Sequence, residues 1–597
     1  MSSSGDTTGV ESEPMEVDCS IMQPTDETED KYTEPVVLSD AAKFSCAALC
    51  ALSLNHLFNN EWDETFNRQC IQRVVTYLQL PQQVLQTMYE LMKADFCQGC
   101  DAYIALIKAE ANLCSILHSL VALAVNQGFI LGEYDARWRV LIQYMSRQMQ
   151  VDIELVETFE NDIAEKLSLQ HEHQLTLEEE QGAKSRRIRT LAKRYAWISL
   201  ATIGGGALVG VTGGLAAPFI GAGLGSLIGG SAAMALGSTT GIAVVGSLFG
   251  AAGAGLTGFK MHKRVGDIEQ FEIKEFKSPT GGYSKPLHIS IAIHGWLSDE
   301  TDESFIKPWT GLEHSKEQYY LCYESRYLVE LGKAMEYIYS FAVSMATQEA
   351  LKYTILSGII SAIAWPSSLL ALSSVIDNPW GVCCRRAVQV GKQLAEILLT
   401  KTHGNRPVTL IGYSLGARVI FYCLREMSTR NCCEGIIQDV VLIGAPCSGN
   451  RQEWSKFTKV VAGRIVNGYS RSDWLLKFLY RTLSMPSGGV AGLQKIPLED
   501  RRMCNVDLTD IVLGHSEYPQ KMTQILDKVG IKTIKAHMRR SQTQPYVQVL
   551  TENLRQTKSE ECLSTFVPTP SPSQHFTTST SSLDSLHITS FASDPDK

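Results

Sequence analysis

From Tyr195 to Phe259 the chain carries no charged side chain, and 18 of those 65 residues are glycine. No ordinary surface segment of this length goes without a charge. A helix crossing the hydrocarbon core of a bilayer needs about 20 apolar residues, so the run holds two spans with ease and three are conceivable. Pro218 and the GSTTG stretch from Gly237 to Gly241 divide it. Lys184, Arg186, Arg187, Arg189, Lys193 and Arg194 precede it, and Lys260, Lys263 and Arg264 follow. Positive flanks tend to stay cytoplasmic, which favours an even number of spans. The expectation is a transmembrane hairpin over 195–259, with the bulk of the chain facing the cytosol. Stripes such as Gly206/Gly210/Gly214 and Gly221/Gly225/Gly229 fit close helix packing in lipid. A solvated linker would not repeat Ile, Val, Leu and Phe so often.

Other features narrow the field. The N-terminus, MSSSGDTTGVESEPMEVD, has neither a basic nor an apolar region, so no cleaved secretory signal is expected. Fifty-four basic against 63 acidic residues leave a formal charge of −9. No domain is strongly basic, and nucleic acid is not an expected partner. The 16 cysteines are scattered, with adjacent pairs at Cys383/Cys384 and Cys432/Cys433, unlike a secreted disulfide framework. Cys97 and Cys100 form a lone CxxC without a second half, and His171 and His173 fall on different faces of a helix. Neither a metal nor a cofactor is expected.

The organisation follows from composition shifts along 597 residues. Residues 1–39 are acidic and poor in large apolar residues, so they should be disordered. Residues 40–194 read as an all-α region, with apolar residues at spacings of three and four. Its last part, VDIELVETFENDIAEKLSLQHEHQLTLEEE, reads as an exposed helix or short coiled coil. After the hairpin, residues 267–540 alternate strand-like and helical runs: LHISIAIHG, QYYLCYES, RPVTLIGYS, DVVLIGAP, GRIVNGYS and MCNVDLTD, with helices between them. That pattern predicts an α/β domain, a mostly parallel sheet with flanking helices. Within it, residues 340–380 form an apolar insertion, expected to pack as a cap or core over the site rather than as a further span. Residues 541–597 are a Ser/Thr/Pro-rich tail, expected to be disordered. The helical region and the tails are the expected contacts for cytosolic protein partners.

The chemistry centres on Gly412-Tyr413-Ser414-Leu415-Gly416. A GxSxG sequence alone is weak, but here an apolar strand, VTLI, enters it and a helical run, ARVIF, leaves it. A strand-turn-helix elbow of this kind presents a nucleophilic serine above the sheet. Acyl transfer also needs donors for the developing oxyanion. The N–H of Leu415 is one; the other is expected from Trp296 or its neighbour, in the His294-Gly295-Trp296 loop. Chain order then predicts an acid and a histidine after the serine. His515, in LGHS, is the expected base, and His403 lies on the wrong side of Ser414. Asp473, after the strand around Ile465, is the expected acid, with Asp507 and Asp510 as rivals. Asp473 also suits the N-cap of the helix WLLKFLYR.

Taken together, LHISIAIHGWLSDE, VTLIGYSLGARVIFYCL, VVLIGAP, IVNGYSRSDW and LTDIVLGHSEY resemble the transmembrane and coiled-coil domain-containing protein 4 family over residues 40 to 540. The resemblance implies an integral membrane protein with an α/β-hydrolase-like domain, and no assigned activity. The residues themselves leave two function classes open. One is a membrane-bound serine hydrolase acting on a lipid or acyl ester. The other is a noncatalytic membrane protein that recruits partners.

Overall fold

The computed structural model describes residues 38–93, 100–125, 132–173, 247–249, 259–260, 268–276, 286–312, 317–348, 370–371, 373–480 and 488–533. The acidic N-terminus, most of the uncharged segment, the middle of the 340–380 insertion, Cys97 and the Ser/Thr/Pro-rich tail lie outside these residues.

Among the described residues the hydrophobic runs assemble one eight-stranded sheet, in the order β1-β2-β4-β3-β5-β6-β7-β8. Its strands are β1 (Phe259–Lys260), β2 (Phe271–Glu275), β3 (Ile289–Ile293), β4 (Glu317–Tyr323), β5 (Val408–Tyr413), β6 (Ile437–Ile443), β7 (Ile465–Tyr469) and β8 (Met503–Asp507). Pairing is parallel from β4 through β3 to β8, while β2 runs antiparallel to both β1 and β4. Every residue of β3, β5 and β7 is buried. Helices cover both faces of such strands, so their sequences are almost continuously apolar. Strand β2, FEIKE, instead buries Phe271 and Ile273 and turns its charged residues outward.

Strands β3 and β5 are neighbours, yet the chain leaves them in opposite directions. After β3 it passes through α8 (Asp302–Ile306) to β4 on one side. It then returns through α9 (Ser325–Gln348) and α10 (Ser373–Leu399) to β5, and continues through α11 (Leu415–Ser428) to β6 on the other side. Such a reversal opens a crevice at the carboxyl ends of the two strands, where α/β sheets bind ligands. Two later helices complete the rim: α12 (Trp474–Leu479) after β7 and α13 (Tyr518–Lys528) after β8.

The all-α region has its own core. It comprises, in sequence order, Asp40–Leu57, Glu64–Tyr77, Gln82–Leu91, Cys100–Glu110, Leu113–Val125, Ala136–Gln148 and Ile153–His173. The last of these, expected as an exposed helix or short coiled coil, is not exposed all round in its described part. Val156, Ile163, Ala164 and Leu167 are buried in the core of this region. The three-and-four spacing was real, but its partners are helices of the same chain. Buried hydrogen bonds dock this layer on the sheet: Arg139, paired with both oxygens of Glu160 at 2.6 and 2.9 Å within the helical region, also donates to Gln438 of β6 at 2.5 Å. Arg501 donates to the Leu57 carbonyl at 2.7 Å, and the Tyr134 N–H donates to the Asn405 carbonyl at 2.8 Å. Asn405 and Arg501 lie three and two residues before β5 and β8, so these contacts lie at the amino ends of the strands.

Among the described residues no single helix is long and apolar enough to cross a membrane. Only Cys100–Glu110 with Leu113–Val125, a pair bent by 103°, passes on length and composition, and the second helix buries Leu117, Val121 and Val125 in the core. The end of the uncharged segment belongs to the folded body. Leu248 and Phe249 are buried, Asn405 donates to the Ser247 hydroxyl at 2.7 Å, and Phe259–Lys260 is the edge strand. The expected hairpin therefore has about fifty residues before Ser247, still enough for two spans.

Candidate active site

Ser414 occupies the turn between β5 and α11 with φ 52° and ψ −122°, a backbone conformation that side chains other than glycine rarely adopt. Its N–H donates to the Ile443 carbonyl at 2.8 Å, tying the elbow to β6. Two close approaches make this turn possible. A Cβ on Gly295 would lie 2.6 Å from Ser414 Cβ, and one on Gly416 would run into the Ile293 carbonyl. Gly412 faces Gly416 across the same elbow, where a Cβ would meet the Gly416 carbonyl carbon at 2.7 Å.

The Ser414 hydroxyl donates to His515 Nε2 at 2.6 Å. His515 Nδ1 in turn donates to Asp473 Oδ2 at 2.6 Å. An ionised carboxylate only accepts, so the proton belongs on Nδ1 and Nε2 is left as the acceptor facing the serine. The second oxygen of Asp473 accepts the Leu476 N–H at 3.0 Å and caps α12. Ser414, Asp473 and His515 are completely buried. Their elements come from three places in the chain, and the parallel order of β5, β6, β7 and β8 is what brings them to one edge.

Aromatic groups close the site. Trp296 stacks on His515, ring centroids 5.4 Å apart and planes at 29°. Tyr518 meets the same imidazole edge-on at 5.2 Å. Burial, and then the neighbouring Asp473 carboxylate, push the Tyr518 phenol well up. Burial pushes the Tyr413 phenol up as well, while the backbone amides of Gly295 and Trp296 oppose that push. The Tyr413 hydroxyl donates to the Trp296 carbonyl at 3.4 Å. The Leu297 N–H donates to the Leu328 carbonyl at 3.2 Å. The Trp296 loop, expected to offer an oxyanion donor, is thus held against Tyr413 through the Trp296 carbonyl. Leu415 is the first residue of α11, and its N–H belongs to the helix end that lacks intrahelical partners. A cleft of about 660 Å³ opens beside Trp296, Tyr413 and Ser516.

His294 accepts from the Trp309 indole at 3.1 Å through Nδ1, and its carbonyl accepts the Tyr323 hydroxyl at 2.6 Å. Burial holds its pKa down at about 3. His403 lies at the opposite end of β5, likewise buried and held at about 3, chiefly by desolvation and then by Arg406 and Lys401. The rival acids are engaged elsewhere: Asp507 pairs with Arg471 at 3.3 Å, and Asp510 with Lys528. Sequence reasoning missed Tyr413, Trp309 and Tyr518 as supports of the site. Only the position of Tyr413 inside the GxSxG run could have flagged one of them.

The fold and this cluster define an α/β protein with a buried Ser–His–Asp line at the switch point of its sheet. Residues 190–532 match the family described as protein of unknown function (DUF726), and the chain belongs to that family. It is 40% identical over 520 residues to an uncharacterized membrane protein of Caenorhabditis elegans, covering 83% of this chain and 81% of that one. It is 41% identical to the transmembrane and coiled-coil domain-containing protein STS1 of Oryza sativa, over 67% of this chain and 61% of the rice protein. A more distant relative, 31% identical over 67% of this chain, is the Saccharomyces cerevisiae protein named probable lipase MIL1, of which the match spans 37%. No solved structure matches.

Proposed function

We propose that this protein is a membrane-associated serine hydrolase that cleaves a lipid or acyl ester on an α/β-hydrolase fold. The observation that carries the reading is the continuous hydrogen-bonded line from Ser414 through His515 to Asp473, with both links at 2.6 Å. The elbow after β5, a facing loop after β3 and the order Ser, Asp, His along the chain support the fold assignment. The name of the yeast relative supports the substrate class. The membrane anchor is the uncharged segment before Ser247, in keeping with the names of the nematode and rice relatives.

In this mechanism His515 Nε2 takes the Ser414 proton as Oγ attacks the ester carbonyl. Asp473 holds the Nδ1–H tautomer and stabilises the imidazolium. The Leu415 N–H stabilises the oxyanion, and a shift of the Trp296 loop away from Tyr413 supplies the second donor. His515 then protonates the leaving alcohol. Water, deprotonated by the same imidazole, releases the acid from the acyl-serine. Complete burial of Ser414 means that a wall of the site must open before any ester enters.

A fluorophosphonate probe on the full chain tests the reading, since it reacts only with an activated serine. Labelling of wild type that disappears in Ser414→Ala is the expected result. A wild-type protein left unlabelled in both detergent and lipid would support the noncatalytic, partner-recruiting alternative.

A further inference from the structure

A second cavity, about 480 Å³, lies between the start of α10, α11 and the residues that follow β6 and α12. That volume is in the range of small-ligand sites. Arg418, one helical turn after Ser414, reaches into its wall. Its guanidinium donates to the Pro446 carbonyl at 2.7 Å, the Cys384 carbonyl at 3.2 Å and the Tyr422 hydroxyl at 3.4 Å. None of these partners carries a negative charge, and among the described residues no carboxylate forms an ion pair with it. A guanidinium has five donors in a planar fork that matches phosphate and carboxylate, and a largely buried charge of this kind gains from an anionic partner.

The rest of the wall has the opposite preference. Trp380 and Tyr480, both nearly buried, meet at 80° with centroids 6.4 Å apart and form two sides of a box. Tyr422 adds a third ring, with the Arg418 and Arg425 guanidinium groups 4.9 and 5.7 Å from its centroid, and the carboxylates of Asp377 and Glu453, the latter 3.6 Å from Arg425, lie on the same lining. Perpendicular aromatic walls with acidic neighbours are how proteins hold a quaternary ammonium. A simple anion such as a fatty acid would leave that half unused and would face the two carboxylates.

We infer that this cavity binds a zwitterionic phosphocholine-type headgroup, with the phosphate on Arg418 and the ammonium in the corner between Trp380 and Tyr480. The inference rests on the hydrolase reading only for its consequence, that the ester brought to Ser414 belongs to a glycerophospholipid. One turn of α11 separates Arg418 from Ser414, about 6 Å along the axis. That is the order of distance between the phosphorus of a glycerophospholipid and its nearer ester carbonyl.

The test is calorimetric titration of the full chain, in maltoside micelles free of phosphocholine, with glycerophosphocholine, inorganic phosphate and choline. Glycerophosphocholine should bind at least about tenfold more tightly than either fragment. Trp380→Leu should weaken glycerophosphocholine about tenfold and leave phosphate unchanged, whereas Arg418→Gln should weaken both. Should either variant fail to fold, Glu453→Gln, a half-buried isosteric change that also frees Arg425, should weaken choline about threefold and should not weaken phosphate. Equal affinity for glycerophosphocholine and phosphate, or affinity unmoved by the folded variants, overturns the assignment. The same titration on Ser414→Ala should be unchanged. Loss of headgroup binding with Ser414 still labelled would thus remove this site and leave the hydrolase standing, and the reverse result would do the opposite.

Discussion

Asp473 makes two contacts with separate consequences, and Asp473→Asn tells them apart. One oxygen accepts the Leu476 N–H and caps α12; the other accepts the His515 Nδ1–H. Asparagine caps a helix about as well as aspartate, so its carbonyl keeps the first contact at a cost of a few tenths of a kcal/mol. Its amide group then faces Nδ1 as a donor. The imidazole must move its proton to Nε2, the wrong tautomer to receive the Ser414 proton. Such a change lowers the rate of a triad enzyme by about 10⁴. Asp473→Ala loses both contacts: about 1 kcal/mol for the cap and about 1–3 kcal/mol for a buried donor left unpaired, or roughly 2–4 kcal/mol in all. The assay pairs the second-order rate of fluorophosphonate labelling with thermal unfolding of the same detergent-solubilised samples. The expected pattern is Asn near wild type in melting temperature but slower by orders of magnitude in labelling, and Ala impaired in both. Asparagine labelling within tenfold of wild type would refute the role given to Asp473. An asparagine variant as unstable as the alanine one would refute the capping argument.

Ser414→Gly should abolish labelling yet stabilise the fold by about 1–2 kcal/mol, because only glycine takes φ 52° without strain; a lower melting temperature than that of Ser414→Ala would contradict this. His294 and His403 have pKa values near 3 when folded and an ordinary value when unfolded, so the unfolded chain binds more protons between those limits. Stability should therefore be complete above about pH 6.5 and fall as pH drops below it, each histidine costing about 1.4 kcal/mol by pH 5.5. Unfolding measured from pH 7.5 to 5.5 checks the slope, and His403→Gln should remove about half of it. The anchor should resist alkaline carbonate extraction, and glycosylation acceptors inserted near Gly182 and near Asp267 should both stay unmodified. Modification of one alone would mean an odd number of spans.

Chain order and local chemistry were enough to place Ser414, Asp473 and His515 near one another, because each follows a strand whose apolar run is plain to read. The six parallel strands, β3 to β8, were visible for the same reason. Strand β2 was not, although FEIKE alternates with period two: three of its five residues are charged, and a five-residue edge strand leaves little signal. The helix Ile153–His173 displayed its apolar spacing without revealing whose surface it covers, because periodicity reports a buried face and not the partner. The stacking of Trp296 on His515, and the hold of Tyr413 on the loop at Trp296, join residues far apart in the chain. Nothing local announces them. The boundary of the uncharged segment misled for a related reason: Leu248 and Phe249 are as apolar as a lipid-facing pair, and only their contact with the folded body distinguishes them.

The packing of Ser247 beside Asn405 fixes a direction. Asn405 precedes β5 and Ser414 follows it, so Ser247 is held at one end of a strand about 20 Å long while the serine sits at the other. If the segment before Ser247 enters the bilayer directly from that end, an enzyme so tethered would point its mouth away from its own bilayer. Its substrate would then come from an apposed membrane or from a lipid carrier in solution, and turnover would follow the closeness of two surfaces more than the lipid content of either. With protein and substrate reconstituted in separate vesicles, hydrolysis should rise when the vesicles are crowded together, and a vesicle holding both should have little advantage.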